Sequence, residues 1–398
     1  MAMNCKELTV NQAAQAIIME YQGCLALNST DDKIQIMAAY LEGEPGVGKS
    51  AIPKMLAAYF NYYLEDIRAN QMSPDDAGGI RMPDPDTKET IWYPPYWMPR
   101  EDGKVIKNGK EYDGTILFFD ELASADDRVR KPLFGVFLDR EMNGRHLPNN
   151  CIVMAAGNEA ATGTMVFELD NATRSRFTTL RIVAALEDWI TNYATEANVD
   201  PSVVAYLKNN MGEFCQTEYA IENDLDLYGN PRSWVHVSNK VKAIMHDKKF
   251  YDSEKHLEAL EAMVAGKVGK GTATKFMAVF KTVSAMSSLF DLLQAMEKTP
   301  EKLKQMWPKE VSQLGALSFS MMKYPRTVEQ GIEMFKLTDH FPKDSSVPFQ
   351  ESIPAIREVI IKRLREGGAN NNEMKAFSTW NKQTTDETIQ GPLIKISM

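Results

Sequence analysis

Apolar positions along this chain switch between short continuous runs and helical spacing. Ile34 to Leu41, Thr115 to Phe119, Cys151 to Ala156 and Thr178 to Ala184 are runs of the kind found in strands buried on both faces. Tyr62 to Ala69 reads as a further strand. Between them, apolar residues recur three and four apart. Ala51 to Leu64 carries Ile52, Met55, Leu56 and Tyr59, and Asp127 to Met142 carries Val129, Leu133, Val136 and Phe137. Ala13, Ala14, Ile17, Ile18 and Tyr21 predict a leading helix within residues 1–35, followed by a turn at Asn28–Asp32. Strands alternating with helices predict an α/β fold with a parallel sheet.

Beyond residue 186 the spacing is helical. Helices are expected over Leu186–Glu196, Pro201–Asn210, a segment starting at Pro231, Ser284–Lys298 and Pro354–Arg365. Gly266–Thr272 reads as a turn between helices, and Gly367–Met398 as a polar, irregular tail. Residues 80–114 break both patterns. Pro83, Pro85, Pro94, Pro95 and Pro99 cut the segment, and aromatics crowd Trp92–Trp97. This predicts an irregular insertion with a hairpin turned at Glu101–Lys104. The aromatics are read as a proline-braced mini-core, with a partner-gripping loop as the alternative.

The candidate chemistry lies where strands end. Gly43-Glu44-Pro45-Gly46-Val47-Gly48-Lys49-Ser50 follows the first strand, and Ala51 opens the next helix. The pattern G-x-x-x-x-G-K-[ST] in that context is a phosphate-binding loop. Its backbone N–H groups and the helix N-terminus favour an anion. Lys49 is placed to reach β- and γ-phosphates, and the Ser50 hydroxyl to ligate Mg²⁺. Asp120 and Glu121 end the strand Ile116–Phe119. An acid there can hold Mg²⁺, and its neighbour can polarise a water. Asn158 ends the next strand and could orient that water. Arg174 and Arg176 could reach a phosphate held by a neighbouring subunit, and Arg232 opens a helix from which it could lean on the nucleotide. ATP and Mg²⁺ are the implied cofactors.

Composition narrows the partners. The chain has 398 residues and a net charge of −9, against the concentrated positive charge that nucleic-acid binding needs. Four scattered cysteines form no metal or disulfide pattern. No uninterrupted run of about 18 apolar residues suggests a membrane span. Met1–Lys6 carries no signal-peptide core, so a cytoplasmic location is expected, in a host cytoplasm if the chain is phage-encoded.

The ordered set GEPGVGKS, ILFFDEL, AAGNE, RSRF and GNPRSW over residues 34–245 resembles the AAA+ ATPases, and among them the MoxR-like branch of bacteria and phages. The insertion resembles that branch too. One departure is Glu159, where relatives often carry proline. The resemblance implies that Gly43–Ser50 is Walker A, Ile116–Glu121 is Walker B, Asn158 is sensor 1 and Arg232 is sensor 2. Arg176 is the better match for an arginine finger, with Arg174 in reserve. It implies a homo-oligomeric ring, often hexameric, whose ATP hydrolysis remodels a protein partner, in many relatives a von Willebrand factor A domain. A nucleic-acid motor on the same core and an ATP-gated scaffold are the competing functions. The expected organisation is an α/β P-loop NTPase core over 1–185 with an insertion at about 70–114, an α-helical lid over 186–298 and a helical C-terminal extension over 299–398.

Overall fold

The computed structural model describes residues 5–28, 36–158, 174–246, 254–325, 327–340, 356–358 and 360–362. The expected turn after Asn28, residue Glu159 and the tail from Gly367 lie outside them. The described chain divides into two units: one made of residues up to Asp188 with Cys215–Asp226 and Asn230–Arg232, and one made of the remainder.

In chain order the first unit runs β1 (Glu7–Leu8), α1 (Val10–Asn28), β2 (Ala38–Gly43), α2 (Ala51–Phe60), β3 (Tyr62–Arg68), α3 (Pro74–Gly78), β4 (Ile80–Pro83), β5 (Thr90–Tyr93), β6 (Val105–Lys107), β7 (Lys110–Tyr112), β8 (Gly114–Asp120), α4 (Asp127–Leu138), β9 (Glu141–Met142), β10 (Arg145–His146), β11 (Cys151–Gly157) and β12 (Phe177–Ile182). Six of these strands form one parallel sheet in the order β1-β12-β2-β11-β8-β3. All residues of β2, β8 and β11 are buried, as their continuous apolar runs require.

Strand alternation sorts those residues into two cores. Leu41, Phe118, Met154 and Ala156 face one cluster with Ile17 of α1 and Ile52 and Leu56 of α2. Tyr40, Leu117, Phe119 and Val153 face the other, with Val129, Leu133 and Phe137 of α4. The sheet is therefore covered on both sides, the arrangement of a parallel α/β fold. Local chemistry sets the helix ends. Asp126 caps α4 by accepting from the Arg128 N–H, and Asn61 ends α2 in the left-handed region. The helix expected to reach Met142 stops at Leu138, because Arg140 and Asn143 take positive φ and a short β9–β10 hairpin forms.

The insertion lies between β3 and β8 and is more ordered than its composition suggests. β4 and β5 pair as one hairpin and β6 and β7 as another. The expected turn at Glu101–Lys104 is a loop turn, closed by a bond from Gly103 N–H to Arg100 O at 3.0 Å. The hairpin turn falls instead at Asn108-Gly109, where both residues have positive φ, the dipeptide that a two-residue hairpin loop favours. The aromatics divide. Trp97 is buried, its indole N–H donates to Asp76 O at 2.9 Å, and its ring meets Phe119 edge-on at 5.2 Å. Trp92 donates to Gly78 O at 2.8 Å. Tyr93 and Tyr96 are 52% and 68% exposed. The base of the insertion is thus part of the core, and one aromatic pair stays outside.

The second unit is helical. Its described helices include Pro201–Asn209, Glu254–Val268, Lys270–Ser284, Leu289–Lys298, Val311–Lys323 and Val328–Asp339. Tyr206, Trp234 and Phe276 form an aromatic centre with centroids 5.3 to 6.2 Å apart. Trp234 donates to Glu213 O at 2.9 Å. Two expectations change. The helix Leu186–Glu196 is α-helical only to Trp189, then widens to a π turn over Ile190–Ala194. The helix Ser284–Lys298 begins at Leu289, because Ser288 and Asp291 form a capping box there. Lys270–Lys298 is long and apolar enough to cross a membrane by length and composition, but it folds as two helices, with Phe276, Met277, Leu292 and Leu293 buried.

Replacing Trp97 by Ala removes a filled core site and a hydrogen bond. Equilibrium denaturation should show a loss of roughly 3–5 kcal/mol. Tyr96→Ala, at an exposed ring, should stay within about 0.5 kcal/mol of the parent.

Candidate functional site

The carboxyl ends of β2, β8, β11 and β3 lie side by side and deliver Gly43, Asp120, Gly157 and Arg68. Sites of parallel α/β sheets form at this edge. The loop from Glu44 to Ser50 leaves β2 and closes on α2, with Ala51 N–H bonded to Gly48 O at 2.9 Å. Gly46 takes φ +80°, and a Cβ there would stand 2.7 Å from Asn230 Oδ1 and 3.4 Å from Arg232 Cβ. Only glycine suits that backbone and that approach. The same contact places the Asn230–Arg232 segment against the phosphate loop, with Arg232 exposed.

Lys49 is 8% exposed. Its ammonium donates to Gly43 O at 2.6 Å, Glu44 O at 2.9 Å and Asn158 Oδ1 at 3.0 Å. This joins the loop to the end of β11. Ser50 Oγ donates to Asp120 Oδ2 at 3.3 Å, joining the loop to β8. Asp120 Oδ1 accepts the Glu121 N–H at 2.9 Å. Lys49, Ser50, Asp120, Glu121 and Asn158 therefore form one linked cluster. The backbone of Glu121 is left-handed, φ +57°, a conformation costing about 1–3 kcal/mol for a residue with a side chain.

Two members of the cluster were not read from the sequence. Arg68, the last residue of β3, forms an ion pair with Asp120 Oδ2. Asn70, two residues on, donates to Glu121 Oε2. Both follow from β3 running in parallel register with β8, which sets Arg68 beside Asp120. The polar run after a predicted strand was the available signal, but nothing in it says which strand is the neighbour.

Glycine at 157 has a steric cause. A Cβ there would lie 1.9 Å from the hydroxyl of Tyr40. The Tyr40 hydroxyl of β2 thus lies against the backbone of β11 one residue before Asn158. Burial, then the nearby Glu42 carboxylate, raise the Tyr40 phenol above its ordinary value, so it stays neutral.

The two arginines from the RSRF stretch are engaged within their own chain. Arg174 pairs at 3.4 Å with Glu42, a 6%-exposed carboxylate one residue before Gly43. The Arg176 guanidinium lies 5.1 Å from the ring centroid of Phe134 on α4. Cys215, also absent from the sequence reading, donates its thiol to Glu44 Oε2 at 3.0 Å. Burial, then the Glu44 contact, push that thiol up to about 12.

The arrangement suits a Mg²⁺-nucleotide. The loop closes on the N-terminus of α2 with glycine at 46 and 48, both at positive φ, and Ser50 and Asp120 are oxygen donors in contact. Among the described residues no group of three His, Cys, Asp or Glu could enclose a metal alone. Mg²⁺ typically takes only one or two protein oxygens, with water and phosphate completing its shell.

Residues 39–177 match the family model of the AAA domain, dynein-related subfamily, over about a third of the chain. Those residues are similar to that domain. The match names the dynein-related subfamily, not the MoxR-like branch. No curated protein sequence matches the chain. Among solved structures, the chain is similar to the RuvB Holliday junction branch migration motor of Thermotoga maritima, at 14% identity and TM-score 0.35, covering 72% of this chain and 76% of that one. It is also similar to a putative ATPase from Cytophaga hutchinsonii, at 14% identity and TM-score 0.30, covering 68% and 90%. A third likeness is to PCH-2 of C. elegans, at 14% identity and TM-score 0.31, covering 68% of each chain. At such scores these likenesses say nothing about what this chain acts on.

Gly157→Ala should cost roughly 1–3 kcal/mol by overpacking against Tyr40, and Tyr40→Phe should restore part of it. A double-mutant cycle on unfolding free energies should give a coupling above about 0.5 kcal/mol. Iodoacetamide at pH 8 should modify Cys215 at least about tenfold more slowly in the folded protein than in denaturant, followed by peptide mass spectrometry, because the half-buried thiol held against Glu44 stays protonated.

Proposed function

We propose that this protein hydrolyses ATP with Mg²⁺ and uses the cycle to remodel a protein partner, as a MoxR-like member of the AAA+ group. The observation that carries the reading is the linked cluster of Lys49, Ser50, Asp120, Glu121 and Asn158 at one sheet edge. In this reading the backbone of Gly43–Ser50, with Ala51 behind it, holds the phosphates, and Lys49 offsets their charge. Ser50 and Asp120 hold Mg²⁺. When bound, Mg²⁺-ATP supplies the transferable phosphoryl group and neutralises charge on its oxygens. Glu121 accepts the proton of the attacking water, and Asn158 orients it. Arg232 contacts the nucleotide in cis. Arg176, or Arg174 in its place, acts on the site of a neighbouring subunit in a hexameric ring.

Two observations support a protein as the partner. The net charge of −9 opposes a polyanion. The β4–β5 hairpin and the loop after it expose Ile80, Met82, Tyr93 and Tyr96, side chains suited to gripping a polypeptide. A von Willebrand factor A domain is one such partner, and the cytoplasm is the proposed location.

Phosphate-release assays should show Mg²⁺-dependent ATP hydrolysis. Glu121→Gln should lower turnover by about 10²–10⁴-fold while nucleotide binding persists, whereas Lys49→Ala should weaken binding itself. A pull-down with the Glu121→Gln protein and ATP should retain a protein. Recovery of DNA with no protein partner would sink the remodelling reading and leave the ATPase reading standing.

A further inference from the structure

We propose that Arg68 is a built-in counter-ion for the metal position, and that Mg²⁺ must displace it from Asp120. The proposal rests on the Mg²⁺-nucleotide reading of this site. Asp120 lies 7% exposed at the end of a fully buried strand. A carboxylate so placed needs a compensating cation, since desolvation without a partner is costly. Its Oδ1 is served by the Glu121 N–H and its Oδ2 by the Ser50 hydroxyl. Neither brings positive charge. Arg68 does, on the same Oδ2.

Oδ2 and Ser50 Oγ are the oxygens that the metal would use. A divalent cation arriving there meets a guanidinium on the same carboxylate, and like charges at that separation repel strongly where solvent is excluded. Arg68 has somewhere to go. Its side chain is 43% exposed, and Asp66, itself 36% exposed, lies 3.7 Å from its Nη2. The two residues share strand β3, two positions apart, so both side chains stand on one face of it. The arginine therefore has an inner carboxylate for the metal-free state and an outer one for the metal-bound state. Competition with Arg68 sets the Mg²⁺ concentration at which the site fills, and Asp66 moderates that competition.

The full-length protein can be titrated with MgCl₂ at a fixed saturating concentration of ADP, reading the thermal unfolding midpoint. Arg68→Gln keeps a polar side chain, of shorter reach, and removes the charge. It should lower the half-saturating Mg²⁺ concentration about three- to tenfold, the size expected for one partly screened unit charge. It should also lower the midpoint without metal. Asp66→Asn removes the outer partner and should raise the half-saturating concentration. A purely structural strand-to-strand pair predicts a stability change in Arg68→Gln with no shift in metal affinity, and that result overturns the proposal. If Arg68→Gln does not fold, Asp66→Asn decides alone: an unchanged or lowered half-saturating concentration overturns it. A parent protein whose midpoint ignores Mg²⁺ and ADP would overturn the nucleotide reading as well, a result distinct from parallel titrations in parent and variants.

Discussion

A carboxylate set at the end of a buried strand is the constraint around which this site is built. Asp120 ends β8, whose seven residues are all buried. An ionised group there is tolerable only if every oxygen is served and a cation is near. The Glu121 N–H, the Ser50 hydroxyl and the Arg68 guanidinium meet that need, and each comes from a different part of the chain. Their placement decides the rest. Ser50 is where the phosphate loop turns into α2, so the loop is tied to β8. Lys49, one residue earlier, reaches back to the loop carbonyls and across to Asn158. Asn70 follows Arg68 and holds Glu121.

Precision at this edge comes from packing beneath it. Alternate residues of β2, β8 and β11 enter two separate cores, so each strand is held from both faces. The Tyr40 hydroxyl of β2 occupies the space that any side chain at 157 on β11 would need. The insertion adds to this. Trp97 packs on Phe119, one residue before Asp120, so the segment that displays Tyr93 and Tyr96 is anchored in the core below the site.

Much of the α/β unit was legible in the sequence because its signals are local. The phosphate loop is eight contiguous residues between a strand and a helix, and Asp120, Glu121 and Asn158 each end an apolar run. Arg68, Asn70 and Cys215 were not legible as site residues. Their roles depend on which strand lies beside β8 and on which distant segment meets Glu44. The Asn108-Gly109 turn carried its own signal, yet the acidic Gly103 turn nearby competed with it. Helix breaks in the second unit were missed where capping outweighed apolar spacing, as at Ser288.

By itself the sequence determined the elements and their chemistry: continuous apolar runs for strands, helical apolar spacing for helices, glycines for a phosphate cradle, acids and an asparagine at strand ends. These depend on residues within a few positions of one another. Strand order, the parallel register that sets Arg68 against Asp120, the glycine forced at 157 by a tyrosine more than a hundred residues earlier, and the engagement of Arg174 with Glu42 were decided only by the tertiary structure. The physical reason is that contact energies between distant segments depend on spatial neighbours, and local periodicity carries no record of which neighbour the sheet will choose.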